Sequence, residues 1–433
     1  MLFPGFARRH GQRDGLLAST APALRYAPPS AGRHVTQPAE VVEAPGRYRA
    51  LVALAVAVVL AMAPWFSAAA VLPQLRELWT LTPAEGAWLT LAVQLGFVVG
   101  AVLSAALNLA DLLAPRRLIL LGAVLAALGN ALLLISTPEA APWLRGVTGA
   151  ALALVYPPAL KAMSAWFRLD RGVALGVMVG ALTLGSALPH LVNALGGADW
   201  RMVLGLTSLL AVVGGVLAAR VPEGPHRFPP AVFQPRQAVR VLSTPTLRLT
   251  TLGYLGHMWE LYAMWAWFAV FFADVLRDRA LPGGPTAGLA TFMVVGVGAL
   301  GCYYGGVLGK RWGKARLTAR AMLISGLCAL GLALLVQAPA GVILAVSALW
   351  GFWIIADSAQ FSTLTSELAD PRYVGTALTL QLALGFSLTA LSIAAVPVLQ
   401  NAVGWRGVFL VLAVGPFLGA LAMRRLERLQ RAS

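Results

Sequence analysis

Long apolar runs alternate with short polar breaks along most of this chain. The first six runs lie at about 50–72, 84–108, 117–136, 143–166, 172–195 and 201–220. A Pro- and Arg-rich stretch, 221–247, interrupts the series. Six more runs follow at about 248–273, 285–308, 317–336, 341–364, 373–399 and 405–425. Each is near or above the ~20 residues that a helix needs to cross a bilayer. Lipid offers backbone groups no partner, so such runs fold as helices whose hydrogen bonds close internally. The pattern predicts an all-α membrane protein with about twelve transmembrane helices in two pseudo-symmetric six-helix bundles. The bundles are expected at 48–220 and 248–433, the second ending in a short basic tail, with 221–247 as a cytoplasmic linker. Residues 1–47 are polar and Arg-rich and lack the apolar centre of a signal peptide. They read as a disordered cytoplasmic arm, or as the product of a start codon placed too far upstream.

Composition agrees and narrows the class. Hydrophobic residues make up 59% of the chain, charged ones only 12%, and mean hydropathy is +0.76. No soluble domain needs so much apolar surface. The net charge of +16 would suit a nucleic-acid partner, but its distribution argues otherwise. Arg116, Arg117, Arg220, Arg248, Lys310, Arg311, Arg316, Arg424 and Arg425 all fall in breaks on one predicted side. The opposite side holds only Arg76, Arg145, Arg201, Arg277, Arg279 and Arg406. That asymmetry is the positive-inside pattern, so both termini are expected in the cytoplasm and no nucleic acid is implied. Cys302 and Cys328 sit in apolar runs without metal-ligand spacing. No metal, cofactor or phosphate-cradling Gly-rich loop is expected. The preference for Arg over Lys points to a GC-rich bacterial genome, hence to a bacterial inner membrane.

The two halves repeat. Trp65-Phe66 is matched by Trp267-Phe268 at an offset of 202 residues, Asp111–Arg117 by Lys310–Arg316 at 199, and Trp200-Arg201 by Trp405-Arg406 at 205. Parallel repeats about an axis along the membrane normal are a transporter plan. On these residues the chain resembles the major facilitator superfamily over about 48–428. Asp111–Arg117 is similar to the family's loop signature after the second helix, departing from it at Leu107, Leu112 and Ala114. The second copy keeps Gly306, Arg311 and Gly313 but carries Lys310 in place of the acid. Arg145-Gly-Val-Thr-Gly149 resembles the fourth-helix signature, while Gly180–Pro189 lacks the Gly-Pro of the antiporter signature. The stretches YPPALK, GHMWELYAMW and ADSAQFS resemble a bacterial branch loosely grouped with nitrate or nitrite carriers. The resemblance implies that helices one, four, seven and ten line a central cavity. It also implies a cytoplasmic latch at Asp111, Arg116, Arg117, Arg311 and Gly313, and a coupling influence for Arg145.

Ionisable groups inside apolar runs carry the chemistry. A charge at membrane depth costs at least ~2.5 kcal/mol and usually marks a pathway or a proton relay. His257 and Glu260 lie three residues apart on one helix face. Glu260, near the bilayer middle, is the expected proton-coupling carboxylate, with His257 as relay and Asp357 as its competitor. The expected solute contacts are Trp65, Arg145, Lys161, Trp267, Trp353 and Gln360. The spacing of Trp350, Trp353, Asp357 and Gln360 puts them along one face of the tenth helix. Pro157 and Pro158 are expected to break the fourth helix. Structural roles compete with these: Lys161 snorkelling to the interface, Arg145 clamping carbonyls, Glu260 in a fixed ion pair. The sequence thus reads as a monomeric, proton-coupled secondary transporter of a small organic solute, anionic or zwitterionic, working by alternating access. An efflux antiporter of the same fold is the alternative; a membrane-embedded transferase or a sensor would need modules that the short outer loops do not supply.

Overall fold

The computed structural model describes residues 44–167, 170–196, 199–226, 242–370 and 374–432, with side chains except at 110, 111 and 432. The predicted arm up to residue 43 and the centre of the linker, 227–241, lie outside the described residues. The regular structure is helical. The first apolar run forms three pieces, α1 Arg47–Ala61, α2 Ser67–Ala70 and α3 Leu72–Leu78. Then come α4 Pro83–Ala106, α5 Leu109–Leu112, and α6 Pro115–Ala131, which tightens into a 3₁₀ turn at Leu132–Ile135. The fourth run is α7 Ala141–Leu152 and α8 Tyr156–Ser164; α9 Arg171–Leu195 and α10 Trp200–Arg220 complete the first group. The second group opens with α11 Pro245–Arg277, then α12 Gly284–Gly296, α13 Gly298–Trp312 and α14 Lys314–Leu334. It closes with α15 Ala340–Trp353, α16 Ser358–Leu368 and α17 Val374–Ala432.

Among the described residues, nine helices are long and apolar enough to cross a membrane. Their ends follow local chemistry. Thr82 and Glu85 form a reciprocal capping box at the start of α4. Pro occupies the first turn of α6, α11 and α12, where its missing N–H costs nothing. Two interruptions sit next to prolines: residues 62–66 around Pro64, and 153–155 just before Pro157 and Pro158. The interruption at 354–357 has no proline to announce it. In α17 the break is at Gly404, with φ 65° and ψ −177°. That left-handed φ favours glycine, and it separates the two runs read at 373–399 and 405–425.

The groups pack by close backbone contact. In the first, α4 lies on α7, α6 on α10 and α7, and α1 on α9 and α10. In the second, α11 and α14 both lie on α17. Two seams join the groups: α9 against α12 and α13, and α4 against α17. Leu103, Leu128, Leu209, Leu300, Leu327, Leu349, Leu391 and Leu418 are exposed, while Gln94, Asn130, Arg145, His257, Glu260 and Asp357 are buried. The apolar face thus looks outward, as a lipid-embedded chain requires.

Small residues permit this packing. A Cβ on Gly149 would stand 2.0 Å from the Val93 carbonyl oxygen of α4. Gly205, on α10, has nothing within 4 Å of that position. The two sites should therefore respond to alanine with opposite sign. Gly149→Ala should destabilise by ~1–3 kcal/mol, the range for overpacking. Gly205→Ala should stabilise by up to ~1 kcal/mol through helix propensity. Thermal melting of the purified variants checks both; equal shifts would mean that the α4–α7 contact is looser than it stands here.

Candidate functional site between the helix groups

The two groups meet in a layer of aromatic rings. Pro64 ends the helical run of α1, and the turn after it carries Trp65 and Phe66 into the seam. Trp65 lies 5.8 Å, ring centroid to centroid, from both Tyr262 of α11 and Phe386 of α17. Phe66 lies 6.1 Å from Tyr262 and 5.9 Å from Trp265. Phe97 of α4 is 4.9 Å from Trp65 and 4.5 Å from Phe386. Such rings stack and slide without fixed hydrogen bonds. The Trp65 indole N–H is buried without a partner among the described residues, and so are both side-chain polar atoms of Gln94, one turn from Phe97.

Beside this layer lie the membrane acids, in two unlike settings. Glu260 is closed in: the Ser325 hydroxyl donates to Oε1 at 2.5 Å and the Trp350 indole donates to Oε2 at 3.1 Å. Both partners are neutral and belong to the second group, so among the described residues the carboxylate has no ion pair with a cation of the first. His257 does not share this setting. Its Nδ1 lies 3.0 Å from Asp357 Oδ1, and both side chains are 1% exposed. His257 Nδ1, His257 Nε2 and Asp357 Oδ1 have no hydrogen-bond partner among the described residues. Tyr254 and Phe361 wall the imidazole at 6.1 and 5.4 Å. Asp357 is the residue before α16 but does not cap it. Its place at an unwound turn leaves the carboxylate facing His257 rather than its own helix. A buried polar group without a partner is costly, and such costs persist most often where function requires them.

Arg145 is fully buried in the first group and surrounded by oxygen. Nε donates to the Leu89 carbonyl at 3.1 Å, and Nη1 to the Pro64 carbonyl and the Asn130 side chain, each at 2.9 Å. Nη1 also reaches Ser67 Oγ at 3.2 Å, and Nη2 the Trp65 carbonyl at 2.5 Å. Asn130 continues the network to Leu204, Thr207 and Ser208. This is the clamp that competed with solute contact for Arg145. Lys161, on α8, is half-buried. Trp267 donates to the Ile393 carbonyl at 3.0 Å and Gln360 to the Gly305 carbonyl at 3.3 Å, so both are occupied inside the second group. Trp353 is half-buried and rests on Phe352, ring to ring at 5.3 Å. The expected stripe through Trp350, Trp353, Asp357 and Gln360 does not form, because residues 354–357 leave the helix between its members.

At the end predicted to be cytoplasmic, the Asp111 side chain lies outside the described residues. Arg116 approaches Glu223 at 4.0 Å, both exposed, and Arg117 and Arg311 are exposed. Gly313, at φ 87°, makes the turn into α14. A contact across the seam comes instead from Lys310, which pairs with Asp170 of the first group. The residue that replaces the family's acid thus finds an acid in another loop. Sequence reasoning missed Asp170, Asn130, Ser325, Gln94 and the ring layer. Asn130 and Gln94 did carry a signal, as lone amides within apolar runs.

Residues 54–393 match the family model of the Major Facilitator Superfamily. The chain is 27% identical over 264 residues to the MFS transporter asaE of Aspergillus flavus, covering 58% of this chain and 57% of that protein. It thus spans little more than half the length of that curated relative. It also superposes, with a TM-score of 0.67, on the crystal structure of a bacterial homolog to the human lysosomal transporter Spinster, solved in an inward-facing and unoccupied conformation. Identity there is 15%, with 89% of this chain and 99% of that one covered, so the likeness is one of fold.

Replacing the buried guanidinium is a direct probe of the clamp. Arg145→Leu removes the donor to the Trp65 carbonyl, while Ser67, Asn130 and the Pro64 carbonyl keep their bonds to one another. The expected loss is about 1–3 kcal/mol, as for a buried acceptor left unsatisfied. Arg145→Lys should not restore it, since one ammonium cannot span the same acceptors. Melting of the purified variants decides; wild-type stability in Arg145→Leu would remove the clamp.

Proposed function

The chain belongs to the Major Facilitator Superfamily and is a membrane transporter, and from that premise we propose that it carries a small organic solute across a bacterial inner membrane by proton-coupled alternating access. The proposed architecture is twelve crossings in two six-helix bundles. The long helices supply ten, once α17 is divided at Gly404. The broken segments 47–78 and 141–164 supply the other two. The observation that carries the coupling is the His257–Asp357 pair, buried at 3.0 Å with unpartnered polar atoms on both side chains.

The acids divide the work in this reading. Asp357, open toward His257, exchanges the proton. Glu260, held by Ser325 and Trp350, fixes α11, α14 and α15 to one another. This reverses the ranking that depth alone suggests, because Glu260 accepts two hydrogen bonds while Asp357 Oδ1 accepts none among the described residues and faces only His257. The solute site lies along the aromatic seam, where the Trp65 N–H and the Gln94 amide can meet a polar solute. Arg145 is occupied by carbonyls, so it does not carry a preference for an anionic or zwitterionic solute.

The solute is found by a thermal-shift screen, since a ligand of the folded state raises its melting temperature. Uptake into proteoliposomes with an imposed pH gradient, beside counterflow, then separates the acids. Asp357→Asn should lose at least about tenfold in gradient-driven accumulation, 1.4 kcal/mol in an equilibrium constant, while keeping counterflow. Glu260→Gln should keep most of its accumulation and melt earlier. The opposite outcome hands the coupling role to Glu260.

A further inference from the structure

A recess of about 420 Å³ opens between the start of α14 and the last turns of α17. It is lined by Arg316, Ala319, Arg320, Arg424, Glu427 and Arg431. Four guanidiniums thus face one carboxylate. Glu427 is already engaged, accepting from Arg316 Nε and from Arg431 Nη2, each at 2.6 Å. Arg320 stands 4.8 Å over the Trp312 ring. Neither Arg320 nor Arg424 has a carboxylate partner among the described residues. The recess carries excess positive charge and room for an anion.

Its place along α17 says which anion. Val414, Leu418 and Leu421 are 51, 62 and 61% exposed. Their spacing sets them on one helix face, and Arg424 follows Leu421 on the next turn. An apolar stripe that ends in guanidiniums matches an acyl chain that ends in a phosphate. A free phosphate would use only the charged end. Guanidinium also suits phosphate better than ammonium does, because its fork of donors matches two phosphate oxygens. We propose that this recess binds the phosphate headgroup of an anionic phospholipid, with the acyl chains along the Val414–Leu418–Leu421 stripe. Basic recesses between membrane helices bind such headgroups in general. A bound lipid would tie α14 to α17 beyond what the Arg316–Glu427 pair does.

The test is a titration of phosphatidylglycerol into the purified full-length protein in detergent, read by melting temperature. Phosphatidylcholine and inorganic phosphate are the comparison arms. Phosphatidylglycerol should raise the melting temperature saturably, and the other two should not. Arg424→Gln breaks no hydrogen bond or ion pair, so it should melt like wild type without lipid. Its half-saturating lipid concentration should rise roughly fivefold, the effect of one basic residue near an anionic surface. Arg320→Gln, a second variant that also loses the contact with the Trp312 ring, should raise the half-saturating lipid concentration likewise. Unchanged titration in both variants, or an equal shift with phosphatidylcholine, overturns the proposal. A full shift with inorganic phosphate alone overturns the lipid as occupant.

Discussion

A charge within a bilayer has to bring its own solvent, and here Arg145 does so with the broken backbone of α1. The turn at 62–66 takes carbonyls out of the helical ladder. The guanidinium donates to two of them, at Pro64 and Trp65, and to a third on α4. Each side of this arrangement compensates a cost of the other. Without Arg145 the break would expose acceptors to hydrocarbon, and without the break the cation would have too few acceptors. The same carbonyls hold Trp65 where its ring meets Tyr262 and Phe386. The seam between the groups therefore depends on a clamp that lies wholly within one of them.

What the sequence made legible follows from how local each feature is. Apolar run length announced helices long enough to cross a membrane, nine of them among the described residues, and Pro157 and Pro158 announced the break in the fourth run. The turn at Gly404 was legible only as a gap between two runs. The unwound segment 354–357 was not, because no residue in it is a helix breaker. His257 and Glu260 read as sharing one face of α11, yet they have different partners. Residues three apart differ by about 60° around a helix at 3.6 residues per turn. That is enough to aim one side chain at Ser325 and Trp350 and the other at Asp357. Partner choice is tertiary, and no spacing along a single helix encodes it. Likewise Lys310 looked like a defect in a loop signature until Asp170 stood opposite it.

The distribution of strong and weak contacts bears on how such a molecule could move. Within each group, polar contacts are buried: Arg145 with its carbonyls, Glu260 with Ser325 and Trp350. Removing water makes such bonds stronger and their loss more costly. Across the seam the contacts are of another kind. Rings meet at 4.5 to 6.1 Å with no directional bond between them. Thr183 and Cys302 approach at 3.9 Å, a weak sulfur contact. The Lys310–Asp170 pair is about half exposed, and exposed pairs contribute ~0–1 kcal/mol. Under the proposed alternating access, two helix groups joined by contacts that part cheaply can rock against each other without unfolding. The His257–Asp357 pair lies within the second group, with Tyr254 beside the imidazole. In the proposed coupling, a proton arriving there changes the charge of a pair that, among the described residues, is not tied into a buried hydrogen-bond network. Its effect would then fall on the packing around the pair rather than on bonds that hold either group together.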